Sequence, residues 1–428
     1  MILKKNQEIK LNNGKLLEVQ ALLGDGGQGE VYLASIDGRD YAFKVYKNEE
    51  TPDFKFNLRN NIDRGSPSEE FLWPQMYVPL DDKHFGYIMD LRPQNYKSFV
   101  SYLNGKVEFK NTATLLKWCI SLCLCFKKLH ERGFSYQDLN DGSFFLDPDT
   151  GRVLICDNDN VTADKKNLGI LGKMRYMAPE IVRGDSMPDV HSDRFSLAVI
   201  LFMALCKGYP YEGNRLKNYD IIDETTELEM FGTDPIFVYH KTNKDNRPIR
   251  GYHTALIKRW PCLPLYVKEA FHRTFVDGLD DRENERTTEL EWIRLLTRYR
   301  DELVSCACGK QYAYGLYENK DVMSCPFCNM QKPERLVLTI NKSTIVLEPG
   351  KEIYETHLDK YSTNYNEVIG KVIANKNNPG LWGIRVGQGG ITIEDSKGTT
   401  KEIASGGIIP IVRNLTINFN ENIKGEIK

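Results

Sequence analysis

The alternation of apolar and polar residues changes along the chain and predicts regions of different secondary structure. Residues 1–110 hold short alternating runs separated by turn residues, which is typical of β-strands. Within residues 111–303, apolar residues recur at helical spacing over long stretches such as Thr112–Leu129. Apolar and polar residues alternate again in residues 333–428, in short runs separated by Gly, Asn and Pro, so we expect an all-β region there. Its clearest strand candidates are Leu336–Ile340, Ile391–Ile393 and Leu415–Phe419.

Composition and charge limit the classes of protein to consider. The 428 residues predict about two to four domains, and 41% hydrophobic residues exclude wholesale disorder. Lys and Arg total 57 against 59 Asp and Glu, which gives a net charge of -2 and a pI near 6.4. A protein that binds polyanions is usually more basic, so nucleic acid is not the expected partner.

Hydropathy favours a cytoplasmic protein without a membrane partner. The longest clean apolar run, Leu197–Cys206, is half the length of about 20 residues that a membrane helix needs. The first ten residues lack the apolar core of a secretion signal. Six of the ten cysteines stand singly in apolar surroundings, as expected of buried thiols in a reducing cytosol.

A glycine-rich run is the first candidate for phosphate chemistry. Residues 24–31 fit the pattern G-x-G-x-x-G-x-V, in which glycines let backbone amides approach phosphates closely. A plain glycine hairpin and a dinucleotide-binding turn are the alternatives. Leu22-Leu23 before the run and Val31–Leu33 after it predict strand–turn–strand, whereas a dinucleotide site requires a helix after the glycines.

One lysine and two aspartates are candidates for the chemistry itself. Lys44 lies within the apolar run Tyr41–Val45, where a charge is costly unless it meets an anion. Asp138 and Asp157 each end or follow a buried strand, so they can converge on one site. One acid could then accept a hydroxyl proton while the other binds Mg²⁺, although a pair of turn aspartates is the alternative.

These pieces, with Ala178-Pro179-Glu180 and the run His191–Ala198, have the order and spacing of a eukaryotic-type protein kinase. The chain resembles that family over roughly residues 15–300. Three features together resemble a divergent bacterial group of Hanks-type kinases, encoded in tellurite-resistance-like or phage-defence settings: the pattern Phe71-Leu72-Trp73-Pro74, the run 156–161 and the cysteine cluster.

The resemblance implies an ATP site and a catalytic centre. For ATP it implies a phosphate-covering loop, a lysine on the α/β-phosphates, a gatekeeper and a hinge that binds adenine, at Gly24, Gly26, Gly29, Val31, Lys44, Met89, Asp90 and Leu91. For catalysis it implies Asp138 as the acid that orients the acceptor hydroxyl, and Asp157 with Ser143 as ligands of Mg²⁺ or Mn²⁺. It also implies an ion pair of Glu180 with Arg286, and Asp193 as the residue that ties the catalytic loop.

Several positions depart from the family pattern. Tyr136-Gln137 replaces the usual His-Arg, so switching by phosphorylation of the activation loop is not expected. Asn140 replaces a lysine, and Ser143 replaces the asparagine that binds the second metal ion. A hydroxyl is a poorer Mg²⁺ ligand, although Asn140 or Asp141 could contribute. The metal-binding motif has become Asp157-Asn158-Asp159, and the extra acid, Asp159, could join the metal site. These losses keep open the alternative of a nucleotide-binding pseudokinase scaffold.

The family pairs its strand lysine with an acid on the following helix, and that partner is unclear in this sequence. The run Phe54–Asp63 predicts the helix. Asp63 is the only acid on it at a suitable distance from Lys44, and Asp53 and Glu69 are the other candidates.

The four remaining cysteines form a cluster with metal-ligand spacing. Cys306 and Cys308 precede Cys325 and Cys328 by a short loop, and four thiolates complete a tetrahedral shell for structural Zn²⁺. Gly309 and Asn329 follow the two halves, and both residue types tolerate the left-handed turn that lets amides point at sulfur. Free or disulfide-paired cysteines are the alternative.

The C-terminal region resembles a forkhead-associated (FHA) β-sandwich, a domain that reads phosphothreonine. The Ser-x-x-His element of that family is missing, and Lys371 stands at the arginine position. We therefore favour protein contacts or intramolecular docking over phosphothreonine recognition, with a phosphoprotein or regulatory protein as the partner. We expect Trp382 to belong to the core.

Taken together, the sequence predicts an α+β chain with four segments. These are a kinase N-lobe at 1–92, a kinase C-lobe at 93–303, a zinc ribbon at 304–332 and an FHA-like sandwich at 333–428. The predicted activity is transfer of the ATP γ-phosphoryl group to Ser or Thr hydroxyls of protein substrates, including the chain itself. The alternatives are the pseudokinase scaffold and a module that recruits phosphoproteins through the C-terminal region.

Overall fold

A computed structural model describes residues 2–81, 83–169, 172–316, 323–359, 361–362, 364–387 and 390–428. The chain divides into two compact units. The first comprises Met1–Lys110, Lys117–Arg259 and Glu269–Trp292, and the second comprises Asn111–Leu116, Trp260–Lys268 and Ile293–Lys428. The four segments predicted from the sequence divide the chain more finely, and their boundaries stay predictions.

A six-stranded antiparallel sheet begins the first unit, in the order β1-β2-β3-β4-β6-β5. Its strands are β1 (Glu8–Lys10), β2 (Leu16–Asp25), β3 (Gly29–Ile36), β4 (Arg39–Tyr46), β5 (Met76–Pro79) and β6 (Phe85–Asp90). Alternate residues of β2 and β3 pack into one apolar core, among them Leu17, Val19, Tyr32 and Ala34. The predicted strand–turn–strand around the glycine run is therefore confirmed as the β2–β3 hairpin.

Helices dominate the chain after this sheet. They are α1 (Pro52–Arg64), α2 (Phe99–Leu103), α3 (Thr112–Glu131), α4 (Pro179–Val182), α5 (Val190–Cys206), α6 (Glu224–Leu228), α7 (Thr254–Arg259), α8 (Leu265–His272), α9 (Gly278–Asp280) and α10 (Glu289–Asp301). Thr51 caps α1 and Asp189 caps α5, each through its side chain. Apart from its first turn, α5 is buried on nearly all sides, which its nearly continuous apolar sequence explains. Among the described residues, no helix has both the length and the apolar character that crossing a membrane requires.

Short strands and tight turns connect these helices near the acidic residues. The strands are β7 (Lys97–Ser98), β8 (Phe134–Ser135), β9 (Phe144–Leu146), β10 (Val153–Ile155) and β11 (Thr162–Ala163). They pair as β10-β9-β7 and β11-β8. The 3₁₀ turns are Asp141–Ser143, Asn158–Asn160, Met174–Tyr176, Asn214–Asn218 and Trp260–Cys262, and π-turns occur at Glu229–Thr233 and Arg273–Asp277.

The second unit contains a two-stranded ribbon followed by two antiparallel sheets. The strands are β12 (Leu303–Ser305), β13 (Gln311–Ala313), β14 (Val337–Ile340), β15 (Ser343–Val346), β16 (Glu352–Tyr354), β17 (Val368–Ala374), β18 (Trp382–Val386), β19 (Ile391–Glu394), β20 (Thr400–Ile403), β21 (Ile408–Pro410), β22 (Leu415–Asn420) and β23 (Ile423–Ile427), with helix α11 (Glu355–Leu358). Sheet β15-β14-β23-β22-β19-β20 and sheet β16-β17-β18-β21 enclose one aliphatic core, so this region is all-β as predicted. Trp382 is half-buried and packs against that core.

Candidate active site

The glycine run forms the tip of the β2–β3 hairpin. Gly24 pairs with Val31 across the hairpin, and the amide of Gly26 donates to the carbonyl of Gly29 at 2.9 Å. A Cβ atom on Gly29 would lie 2.4 Å from the carbonyl oxygen of Val45, so only glycine fits there. Residues 21–28 are exposed, which leaves the backbone of the tip accessible to a ligand.

Lys44 is buried on β4, opposite Val31 of β3 and Tyr87 of β6. Its Nζ atom lies 2.8 Å from Oδ2 of Asp159 and 3.6 Å from Oδ1 of Asp157. Burial alone would lower the pKa of Lys44, but the charges of the two carboxylates outweigh it and raise that pKa to about 12. The sequence-predicted lysine and metal acid therefore lie together.

Asp159 does not extend into open space, as a further metal ligand would. Its carboxylate is fully buried and accepts hydrogen bonds from Lys44, from the Tyr46 hydroxyl and, at 3.1 Å, from the Tyr87 hydroxyl. Burial raises the pKa of a carboxyl group, but here the charge of Lys44 prevails and the pKa of Asp159 is lowered. Asp159 is thus an ionised partner of Lys44, unlike the metal-site role considered from the sequence.

Asp157 occupies the left-handed backbone region, with φ of 56°, and its side chain is 48% exposed. The following residue, Asn158, replaces the apolar residue of the family motif and is fully buried. Its amide donates to the carbonyls of Leu72 and Ile155, each at 2.9 Å. Hydrogen bonds to the backbone therefore anchor this turn where the family uses apolar packing.

Asp138 lies in the loop between β8 and β9. The amide nitrogen of Asn140 donates to its Oδ1 atom at 3.2 Å. Burial raises the pKa of Asp138. The hydrogen bond from Asn140 opposes this rise, and the nearby charge of Asp157 adds to it. The two acids predicted from the sequence are thus close enough to sense each other's charge.

Ser143 and Asn140 occupy the positions considered for a second metal ion. Ser143 is fully buried, with its hydroxyl 3.5 Å from the carbonyl oxygen of Asp138. The side-chain oxygen of Asn140 accepts from the amide of Gly142 at 3.0 Å and from Nζ of Lys173 at 3.4 Å. Both oxygens therefore have protein partners, and a metal role for Ser143 stays a prediction.

Asp193 bonds the backbone of the loop that carries Asp138, as predicted, and Asp189 caps helix α5. The carboxylate of Asp193 accepts the backbone amide of Tyr136 at 2.6 Å and that of Gln137 at 3.3 Å. It also contacts Nε2 of His130 at 3.1 Å. These bonds fix the backbone immediately before Asp138.

The side chain of Gln137, which replaces the arginine of the family motif, holds the segment after Asp157-Asn158-Asp159. We call these three residues the metal loop, because they stand at the position of the family's metal-binding motif. The side-chain amide of Gln137 donates to the hydroxyl of Thr162 and to the carbonyl of Lys166. Thr162 is itself fully buried and donates to the same carbonyl at 2.8 Å. Neutral hydrogen bonds therefore order this segment without a phosphate group.

The predicted gatekeeper and hinge lie at the end of β6. Met89 is buried opposite Ala42, beside the strand that carries Lys44. Asp90 is half-exposed and pairs with Arg39 at 3.1 Å, and Leu91 is half-buried. Their roles toward adenine stay predictions.

The ion pair between Glu180 and Arg286 is confirmed. Both residues are buried, and two guanidinium nitrogens each donate to a different carboxylate oxygen at 2.7 Å. Burial would raise the pKa of Glu180, but the hydrogen bond and charge of Arg286 hold it below its usual value. This pair joins α4 to the chain after α9, in the same unit as the acids.

The four clustered cysteines of the second unit come together. Their sulfur atoms all lie within 4.8 Å of one another, with Cys306–Cys328 at 3.5 Å and Cys308–Cys325 at 3.9 Å. These separations exceed a disulfide bond of about 2.05 Å and match the edge of about 3.8 Å of a tetrahedron with metal–sulfur bonds of about 2.3 Å. Four sulfurs in this arrangement fit Zn²⁺. Gly309 and Asn329 adopt the predicted left-handed conformation, with φ of 82° and 60°.

The fold and site described so far are those of a kinase-like catalytic domain. A family model described as the protein kinase domain matches residues 17–263, more than half of the chain. The chain therefore belongs to the protein kinase family.

Individual relatives are distant and longer than this chain. Ribosomal protein S6 kinase alpha-2 of Homo sapiens is 27% identical over 302 residues, which covers 67% of this chain and 37% of that protein. Protein kinase YegI of Escherichia coli is 23% identical over 349 residues, covering 76% and 50%. Serine/threonine-protein kinase PknB of Corynebacterium glutamicum is 25% identical over 213 residues, covering 46% and 32%. The chain thus spans no more than half the length of these curated relatives.

Sequence reasoning missed the tyrosines around Lys44. Tyr46 lies two residues after Lys44 on β4, and Tyr87 lies opposite Lys44 on β6. All three side chains therefore share one face of the sheet. A buried ammonium requires an anionic partner, and the two phenol hydroxyls beside it can donate to that same group. That pattern, visible once strand pairing is known, would have indicated a carboxylate such as Asp159.

Proposed function

We propose that this chain is an ATP-dependent protein serine/threonine kinase. The observation that carries the proposal is the convergence of Lys44, Asp157 and Asp138, which come from separate parts of the sequence. The family membership and the name of the PknB relative support the same activity. Protein Ser or Thr hydroxyls are the proposed acceptors, and the chain itself is the first to test.

The chain's own groups supply recognisable roles in phosphoryl transfer. Lys44 would contact the α- and β-phosphates from strand β4, while the backbone of the glycine hairpin covers them. Asp157, the half-exposed acid, would hold Mg²⁺, which neutralises charge on the phosphates when bound. Asp138 would orient the acceptor hydroxyl and take its proton, and burial suits it to this role because its pKa is raised.

Transfer of radiolabel from γ-labelled ATP, followed by mapping of phosphorylated residues, tests this function. Asp138→Ala should lower transfer by about 10²–10⁴-fold, while Asp157→Ala should also weaken Mg²⁺-dependent nucleotide binding. Asp220→Ala, at an exposed position of the same unit, is the matched control and should keep full activity.

Each other outcome has a definite meaning. Undiminished transfer in both variants would show that the two acids are misassigned. Nucleotide binding without transfer by the unaltered protein would instead support the pseudokinase scaffold. The buried hydroxyl of Ser143 is the observation that favours this second candidate.

We further propose a structural zinc ribbon at the cysteine cluster and an FHA-like role for the two-sheet region after it. Support for zinc comes from the four-sulfur arrangement, which leaves no open coordination position for catalysis. The enclosed core between two antiparallel sheets supports the sandwich. Lys371, half-exposed and 3.2 Å from Glu352, argues for protein contacts over phosphothreonine binding, and phosphothreonine peptides titrated onto the full chain test this.

A further inference from the structure

Lys44 needs a permanent anionic partner before any nucleotide arrives. Its side chain is only 6% exposed, so an unpaired ammonium there would lose most of its hydration. Two carboxylates lie near it, and the shorter contact is with Asp159 at 2.8 Å against 3.6 Å for Asp157. Asp159 is thus the principal partner of the lysine.

Helix α1, where the family resemblance places the acid partner, offers none. Its two acids, Asp53 and Asp63, are both exposed, as is Glu69 after it. The buried face of α1 instead carries two amides: Asn57 and Asn61 both donate to one carbonyl. The sequence-based candidates for the partner of Lys44, namely Asp53, Asp63 and Glu69, are therefore wrong, because all three residues are exposed to solvent.

That carbonyl belongs to Val161, two residues after Asp159, and the two amides reach it at 2.8 and 2.7 Å. The helix is thus docked to the chain beside the acid, through neutral hydrogen bonds, and makes no ion pair with Lys44 among the described contacts. The positions of the helix and of the lysine are set by different groups.

Three side-chain donors surround the carboxylate of Asp159. Lys44 and Tyr46 bond one carboxylate oxygen and Tyr87 bonds the other, and the side chain has no exposed surface. A metal ion would have to displace these donors to reach it. Asp157, only two residues earlier and 48% exposed, is the acid that remains available to a metal.

We propose that Asp159 is the positioning residue for Lys44, performing from the metal loop the task that the family assigns to a helix acid. Lys44 thus contacts Asp159 in the turn Asn158–Asn160 and Asp157 immediately before it, and neither contact involves a residue of α1. The inference rests on the proposed ATP site, and it deepens that proposal by naming the group that keeps the lysine in place.

Nucleotide affinity and its Mg²⁺ dependence test the inference. The variant Asp159→Asn keeps the size and shape of the side chain but removes the negative charge closest to Lys44. We expect Lys44 then to shift toward Asp157. Mg·ADP affinity should fall about tenfold, the loss expected for one charge-assisted hydrogen bond. Half-saturation should require more Mg²⁺, because Asp157 is then engaged by the lysine. Asp63→Asn, on α1, is the matched control and should stay within about twofold, as exposed charges do.

A double-mutant cycle separates positioning from a direct metal role. If Asp159 acts through Lys44, adding Asp159→Asn to Lys44→Met should cost no further Mg·ADP affinity. A further loss in that background would make Asp159 a metal ligand and overturn the inference. Tyr87→Phe, which removes only the 3.1 Å bond, gives a milder variant should Asp159→Asn fail to fold, with a loss of about two- to tenfold.

The controls also distinguish this inference from the proposed function. Mg·ADP binding is measured without turnover, so it reports on Asp159 even if the unaltered protein transfers no phosphate. Normal affinity in both Asp159→Asn and Tyr87→Phe, or a tenfold loss in Asp63→Asn, would refute the positioning role while leaving the kinase proposal intact.

Discussion

The candidate active site and the cysteine cluster obtain their geometry in different ways. In the candidate active site, Lys44 and Asn158 are buried beside extensive apolar packing, and each bonds directly to neighbouring protein groups. Around the cysteines, the buried cluster consists of Val304, Tyr312 and Cys325, while Cys308 and Cys328 are exposed. The groups around Lys44 are therefore preorganised by the fold, whereas the cysteine segment would depend on the proposed zinc ion as the centre of its structure.

Metal removal should give the largest effect, since structural zinc contributes apparent binding free energies of about 10–16 kcal/mol. Cys306→Ser should lose its zinc and expose residues 304–332 to protease. Cys262→Ser, at a half-buried cysteine outside the cluster, is the control and should keep both properties. Metal analysis with limited proteolysis of the full chain measures this, and undiminished zinc in Cys306→Ser would exclude the ribbon.

Breaking the buried ion pair of the first unit should cost less but remain large. Arg286→Ala removes the bidentate partner of buried Glu180 and leaves it Arg282 at 3.2 Å, so stability should fall toward the lower end of about 3–5 kcal/mol. The exposed pair Lys241–Glu269, at 2.7 Å, gives the control Lys241→Ala, with an expected loss below about 1 kcal/mol. Urea unfolding measures the stability of both variants. Equal losses of stability in Arg286→Ala and Lys241→Ala would show that burial does not make the first ion pair more important.

The histidine behind the catalytic loop should make stability depend on pH. Burial would lower the pKa of His130, but its hydrogen bonds to Asp193 and Glu289 raise that pKa to about 9. A raised pKa means the stabilisation is complete below the unfolded value near 6.5 and is lost as pH rises through 9, by about 3 kcal/mol at most.

Urea unfolding at pH 6 and above pH 9 measures this loss. His130→Gln should flatten the decline over that interval, whereas His84→Gln, at a surface pair with Asp81, should retain it. A pH profile unchanged by His130→Gln would show that another group titrates there.

The smallest expected effect is that of phosphatase treatment on the rate of phosphoryl transfer. Because Gln137 orders the segment after the metal loop with neutral bonds, phosphatase treatment should leave the rate of transfer within about twofold. Initial rates before and after treatment measure this. A loss of activity on treatment, reversed by incubation with ATP, would contradict it.

Local patterns predicted the elements well, and motifs predicted the acids. Alternation of apolar and polar residues predicted the β2–β3 hairpin and the C-terminal strands, because successive residues of a strand face its buried and exposed sides in turn. The pair Glu180–Arg286 was predicted by motif and is confirmed. Sheet order could not be derived in this way, because β14 pairs with β23 from the far end of the segment.

The role of Asp159 was beyond sequence reasoning for a geometric reason. Asp157 and Asp159 are two residues apart and chemically identical. Which of them faces Lys44 depends on the left-handed conformation of Asp157 and the 3₁₀ turn that follows it. Asn158, by donating to the carbonyls of Leu72 and Ile155, fixes that turn. No linear spacing rule distinguishes the two acids.

The segment between the metal loop and Ala178 has a consequence for how activity scales with the amount of protein. Its only hydroxyl side chains are Thr162 and Tyr176, and both are buried. For the proposed kinase, activation of one copy by another through this segment would therefore require a buried hydroxyl to become exposed first. Without such feedback through this segment, we expect the rate of transfer by the proposed kinase to rise in proportion to its concentration.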